Sequence, residues 1–221
     1  MAQAGAMLKH VGMGEQGDHD ISTIRASIRI VADDDVHSRV YFRPMTDVTI
    51  RPARPDDAAP LSALGTRTFI DTFVAEDGFA IPYPADDLAG YLQASFGVEA
   101  TARKLTEAGA AWWVAERAGE LLAFANAGPN GLPHPDALPS NMELRRLYVG
   151  KAAQGLGLGT KLLTLSLDWM EANTDGPLWI GVWSGNLKAQ KLYAAHGFEK
   201  AGEYQYPVGA WRDHEFILRR G

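Results

Sequence analysis

The chain has 221 residues, no cysteine and a formal net charge of −6 at pH 7. Without thiols there is no disulfide framework and no thiolate metal site. No apolar run approaches the ~18 residues that a membrane span needs, and the mildly acidic balance lacks the basic stripe of a nucleic-acid-binding domain. The first residues carry no continuous apolar core of a secretory signal, so a cytoplasmic location is the plain expectation.

Residues 1–47 open with MAQAGAMLKHVGMGEQGDHD, which is polar, Gly-rich and unpatterned, the composition of a segment that cannot bury enough apolar surface to order itself. ISTIRASIRIVADDD could form a short strand, with nothing nearby to cover it. The expectation is an extension that is either disordered or an over-extended gene start, followed by one domain over residues 48–221, within the usual size of a compact core. TIRPARPDDAAPLSAL then reads as a strand, a loop and a helix capped by Asp56 or Asp57, with Leu61, Leu64, Thr68 and Phe69 on one face. A second helical stretch over residues 86–96 sets Leu88, Tyr91, Leu92 and Phe96 at helical spacing.

AWWVAERAGELLAFANAG is two apolar runs joined by a turn at 117–120, a β-hairpin signal. Trp112 and Trp113 point to opposite faces of such a strand, so at least one belongs to the core. GLPHPDALP is a long surface loop carrying His134 and Asp136. His196 and His214 do not fall at metal-ligand spacing, and no metal site is expected. A further strand over 143–149 leads into QGLGLG and an amphipathic helix; LWIGVW is another strand, and EYQYPVGAWRDHEFILRR closes the chain as a pair of strands. Strands and helices alternating in this way give an α/β (α+β) domain.

The strand-to-helix junction at 149–160 carries the chemistry. A helix begins with unpaired N–H groups at the positive end of its dipole, and glycines at 155, 157 and 159 keep side chains off the backbone there, so the loop is ready to hold phosphate. It is not an NTPase phosphate loop, which needs Lys and then Ser/Thr after its last Gly; the order here is Gly159-Thr160-Lys161. It is not a dinucleotide fingerprint either, since the sixth position counted from Gly155 or Gly157 is Thr160 or Leu162.

The pattern Q-x-x-G-x-G at Gln154, Gly157 and Gly159, preceded by ELRRLYV, resembles motif A of the GNAT family of N-acetyltransferases. LWIGVWSGNLKAQKLYAAHGFEKAGEY resembles that family's motif B, in the same order and spacing, and the likeness extends over roughly residues 48–220. It implies a mixed, mostly antiparallel central sheet flanked by helices, acetyl-CoA as acyl donor with no metal, and direct attack of an amine on the thioester in a ternary complex. Gln154, Gly155, Leu156, Gly157, Leu158, Gly159 and Thr160 would then hold the pyrophosphate by backbone N–H donation. Leu147 and Val149 would offer main-chain bonds to the pantetheine amides, and Asn186 would cap the next helix while touching the pantetheine arm. Tyr193 occupies the position of a general acid for the departing thiolate; the alternative is a core aromatic. Glu143 can serve as general base through a water, or pair with Arg145 or Arg212 on a solvated face.

FIDTFVAEDG and YLQASF are similar to the bacterial spermidine/spermine acetyltransferase-like branch of the family, which implies a polyamine or other small primary amine as acceptor. Asp71, Glu76 and Asp77 could attract such a polycation or simply face solvent. Two other functions stay open: acetylation of protein N-termini or lysines, and an acyl-CoA sensor without turnover. The resemblance also makes a homodimer a possible assembly.

Overall fold

A computed structural model describes residues 48–221. The expectations for residues 1–47 lie outside the described residues. Strand β1 (Thr49–Pro52) is followed by helices α1 (Ala58–Phe69), α2 (Ala85–Phe96) and α3 (Val98–Leu105). After them come β2 (Ala111–Arg117), β3 (Glu120–Pro129), β4 (Met142–Val149), α4 (Leu158–Ala172), β5 (Leu178–Trp183), α5 (Leu187–Ala194), β6 (Glu199–Val208) and β7 (Trp211–Arg220). The seven strands form one sheet in the order β1-β2-β3-β4-β5-β7-β6. Every pairing is antiparallel except β4–β5. This is the mixed, mostly antiparallel sheet flanked by helices that the sequence implies.

The β2–β3 hairpin closes through Ala118 and Gly119, both with positive φ (52° and 81°), as the turn that matches strand twist requires. Trp112 and Trp113 are both buried, on opposite faces. Trp112 joins the cluster with Leu61, Leu64, Phe96 and Phe124 under α1–α3; Trp113 joins Leu162, Leu163, Leu167 and Met170 of α4. Those four α4 side chains are at most 4 % exposed, each contributing about 1.5–3 kcal/mol of burial.

Two expectations change. Neither Asp56 nor Asp57 caps α1 with its side chain. The Asp57 carboxylate instead reaches back to the Arg54 N–H (2.6 Å) and pairs with the Arg51 guanidinium (2.7 and 2.9 Å), which also holds Glu116. Pairing with a cation outweighs capping here because Arg51, on β1, sits over the helix entrance. The second change is an added element: α3 fills the stretch between Phe96 and β2. Its packing is fixed by tertiary contacts, with Trp112 Nε1 donating to the Lys104 carbonyl and the Lys104 ammonium donating to the Ser95 carbonyl.

Candidate active site

β4 and β5 pair over only three positions, Met142–Leu178, Glu143–Trp179 and Leu144–Ile180. Beyond Leu144 the two strands part. Arg145 is the extra residue of a bulge against β3, so the bend falls where the pairing ends. Further along, the Gly150 N–H donates to the Leu122 carbonyl of β3. Backbone direction alternates along a strand, so Val149 and Leu147 turn their N–H and C=O groups away from β3, into the gap. Unpaired strand backbone of this kind suits an extended ligand bearing amides.

The loop after β4 stands at the mouth of the gap. Gly155 and Gly157 have φ of +83° and +72°, and a Cβ at either would meet nothing within 4 Å. Their glycine character therefore serves backbone conformation in this structure, not clearance from protein neighbours. The Lys161 N–H closes onto the Gly157 carbonyl as the first bond of α4, which leaves the N–H groups of Leu158, Gly159 and Thr160 without a helical acceptor. With the helix dipole behind them they form an anion cradle. On the far side of the gap Asn186 accepts from the Ala189 N–H (3.1 Å) and caps α5.

Gap and loop open into one cavity of about 920 Å³. Of the expected site residues, Glu143, Leu147, Val149, Gln154, Gly155, Gly157, Leu158, Gly159, Thr160, Asn186 and Tyr193 all line it; Leu156 does not, and its side chain is exposed. Tyr193, on α5, is buried, with its ring edge-on to Phe198. Burial raises its pKa, so the phenol stays protonated. Glu143 pairs with neither arginine: Arg145 binds Glu107, and Arg212 donates to the Gly209 and Trp211 carbonyls. Its Oε2 accepts from the Gly131 N–H (2.9 Å), and burial raises its proton affinity against the opposing effects of that bond and of Arg145.

The side of the cavity opposite the loop is aromatic and acidic. A turn of π-helix at Ile70–Val74 extends α1 and delivers Phe73 and Asp71 to the cavity. Phe79 packs on Trp183 at 4.4 Å between centroids. β6 alternates exposed and inward residues, sending Tyr204 and Tyr206 to the cavity. β7 adds Asp213, which accepts from the Tyr83 hydroxyl (2.5 Å) and the Trp211 indole (3.0 Å), and Glu215, which accepts from the Tyr204 hydroxyl (2.7 Å). Burial, reinforced by Asp213 and Glu143, lifts the Glu215 pKa to about 7 against the effect of the Tyr204 bond.

These β6–β7 groups are missed in the sequence reading. Alternation in EYQYPV was the available signal for β6; DHEFIL, three polar residues and then three apolar ones, carries none. Asp77 lines the cavity and pairs with Lys151 of the loop, while Glu76 does not reach it. His134 faces Trp179 and accepts from the Asp136 N–H, within its loop. Among the described residues no group of three possible metal ligands occurs, and no helix is long and apolar enough to cross a membrane.

A sheet split at its parallel junction, with helix N–H donors at the mouth and a protonated phenol inside, is a site suited to an extended anionic ligand bearing amides. Residues 71–198 match the acetyltransferase (GNAT) family, and the chain belongs to that family. It is an acyltransferase of the kind that takes its acetyl group from acetyl-CoA. It is 24 % identical over 176 residues to an uncharacterized N-acetyltransferase of the pepI 3′ region in Lactobacillus delbrueckii subsp. lactis, covering 80 % of this chain and 98 % of that protein. An uncharacterized N-acetyltransferase of Mycobacterium tuberculosis is 27 % identical over 171 residues, covering 74 % and 97 %. The fold is shared with the PaiA N-acetyltransferase of Thermoplasma acidophilum, solved in complex with coenzyme A (TM-score 0.60, 15 % identity, 79 % of this chain and 98 % of that one). It is also shared with a ribosomal-protein-alanine N-acetyltransferase of Brucella melitensis (TM-score 0.54, 24 % identity, 78 % and 98 %).

Proposed function

We propose that the protein acetylates a primary amine of a small cationic acceptor, a polyamine or similar amine, by direct attack on acetyl-CoA in a ternary complex. The observation that carries this reading is the acceptor side of the cavity, where Glu143, Asp213 and Glu215 stand among Tyr204, Tyr206 and Trp183. Carboxylates attract an ammonium group, aromatic faces hold it by cation–π contact, and the low-dielectric wall strengthens both.

The pyrophosphate of acetyl-CoA lies on the N–H groups of Leu158, Gly159 and Thr160, with Gln154, Gly155, Leu156 and Gly157 shaping the turn. The pantetheine arm takes the free backbone groups of Leu147 and Val149 and passes Asn186. The ammonium loses a proton to one of the cavity carboxylates. The neutral nitrogen then attacks the thioester carbon. As the C–N bond forms and the C–S bond breaks, Tyr193 gives its proton to the leaving sulfur. A β4 backbone N–H stabilises the oxyanion.

Acetylation of a protein N-terminus is the second reading, favoured by the fold shared with the ribosomal-protein-alanine enzyme. The wall of Phe73, Phe79 and Trp183 supports the small acceptor over an extended peptide. The test is free-thiol release from acetyl-CoA with spermidine, spermine, simple amines, amino acids and N-terminal peptides, for wild type and Tyr193→Phe. Turnover on small amines that drops in the variant supports the reading. Turnover confined to peptides replaces it with the second, and acetyl-CoA binding without turnover on any acceptor would make the protein a sensor.

A further inference from the structure

Glu215 lies opposite Trp183 of β5 and Tyr204 of β6 in the sheet register, so all three side chains share the acceptor face. Gly181 gives the carboxylate its place. A Cβ at 181 would stand 3.2 Å from Glu215 Oε2 and 3.2 Å from the Tyr204 hydroxyl, a tighter fit than ordinary van der Waals contact. The missing side chain on β5 is therefore the floor on which the β7 carboxylate and the β6 phenol rest.

The other two carboxylates are more committed. Asp213 is held by Tyr83 and Trp211, and Glu143 Oε2 fastens Gly131, and with it the 130–141 loop, to the end of β4. Among the described residues Tyr204 is the single hydrogen-bond donor to Glu215.

We propose that Glu215, oriented by Tyr204 and given room by Gly181, takes the proton of the incoming ammonium directly, and that Glu143 acts beside it as a fixed negative charge. The assignment rests on the amine-acetyltransferase reading. R–NH3+ gives one proton to the Glu215 carboxylate, leaving R–NH2. The nitrogen lone pair forms the C–N bond, the C–S electrons leave on sulfur, and sulfur receives the Tyr193 proton. The second proton shed by nitrogen restores Tyr193 through water, and Glu215 returns its own to solvent. The balance is R–NH3+ plus acetyl-CoA giving the N-acetyl product, CoA and one proton.

The titratable groups facing Glu215 are Tyr204 and Tyr206 from β6, Asp213 on β7, Glu143 and Tyr148 from β4, Tyr193 from α5, and Tyr83, which binds Asp213. β5, LWIGVW, contributes no titratable side chain. Burial and the two acidic neighbours bring Glu215 to about 7, where a carboxylate can both take a proton and release it.

The test is the pH dependence of kcat/KM for the full chain, with acetyl-CoA and the best amine of the panel, in wild type, Glu215→Gln, Glu143→Gln and Tyr204→Phe. Urea midpoints and acetyl-CoA calorimetry on each variant confirm folding. Wild type should lose activity below about pH 7. Glu215→Gln should abolish this acid limb and lower the neutral-pH rate roughly 100-fold or more. Glu143→Gln should keep the limb and move it to lower pH, because a repelling charge is gone. Tyr204→Phe should move it to higher pH, because the ionised form loses a donor. A limb that survives Glu215→Gln and disappears in Glu143→Gln overturns the assignment in favour of Glu143. Should Glu215→Gln not fold, the opposite displacements in the other two variants decide, and no displacement in either overturns the proposal. A wild type that binds acetyl-CoA yet acetylates no amine removes the underlying reading and this assignment with it, a result distinct from active wild type with an unchanged limb in Glu215→Gln.

Discussion

Replacing Gly157 by alanine separates the two demands on the anion loop. Gly157 precedes α4 with φ +72° and ψ 7°, and an added Cβ would touch no protein atom within 4 Å. The cost is therefore backbone conformation alone, about 1–2 kcal/mol for an L side chain held left-handed. If the loop keeps its shape, this appears entirely as lost stability. If the loop relaxes, stability falls less, and acetyl-CoA must restore the loop on binding. The sum of the two losses should stay at about 1–2 kcal/mol, so a full transfer to binding weakens affinity roughly 5- to 30-fold. Urea unfolding and acetyl-CoA calorimetry measure the two parts. Gly159→Ala supplies the contrast: it lies inside α4, and its Cβ would meet Val149 Cγ2 at 3.7 Å, an ordinary contact. It should stabilise the free protein by up to about 1 kcal/mol through helix propensity, while weakening acetyl-CoA binding by crowding the N–H groups proposed to receive the pyrophosphate. Unchanged stability and unchanged affinity in Gly157→Ala would refute the requirement for a left-handed residue there. Unchanged affinity in Gly159→Ala would refute the placement of the pyrophosphate.

Three other outcomes are expected. Tyr193→Phe should lower kcat about 100-fold or more while calorimetry gives an unchanged acetyl-CoA affinity, since the ring keeps its packing and only the proton donor is lost. Asp57→Asn should cost about 2 kcal/mol in urea unfolding at pH 7, because Arg51 loses a charged partner in a part-buried site. Arg51 holds the Asp57 pKa below its ordinary value, so this stability is complete above about pH 4 and is lost as pH falls through the folded-state pKa; the gap between wild type and variant should narrow on acidification. Ala118→Asn should raise stability by about 0.5–1 kcal/mol, because asparagine accepts the left-handed conformation of the hairpin turn more readily than alanine; an equal or lower urea midpoint would count against the turn geometry.

Local features of the fold are legible in the sequence. The 117–120 turn, the glycine loop and Asn186 as a cap each depend on residues near one another in the chain. Features set by distant partners are not. Asp57 reads as a helix cap until Arg51 and Glu116 are seen beside it. α3 is only Val98–Leu105, too short for its apolar spacing to identify it, and it is secured by Trp112. Glu215 reads as one more polar residue in a terminal strand, since its surroundings are supplied by Gly181, Tyr204 and Glu143 from three other strands. In QGLGLG the glycines are conspicuous, but only the torsion angles distinguish Gly155 and Gly157 from Gly159.

The brief β4–β5 pairing has a mechanical consequence. Strands β1–β4 and β5–β7 form two leaves joined along three residue pairs. A pantetheine arm bonded to Leu147 and Val149 would act as the missing length of strand along that seam, so loading the donor would also stiffen the scaffold. Amide exchange should then slow on both leaves when acetyl-CoA binds, including at Trp183 and Glu215, which the donor need not touch. The acceptor side would become rigid only once the pantetheine arm is in place, which gives ordered substrate binding without a separate lid.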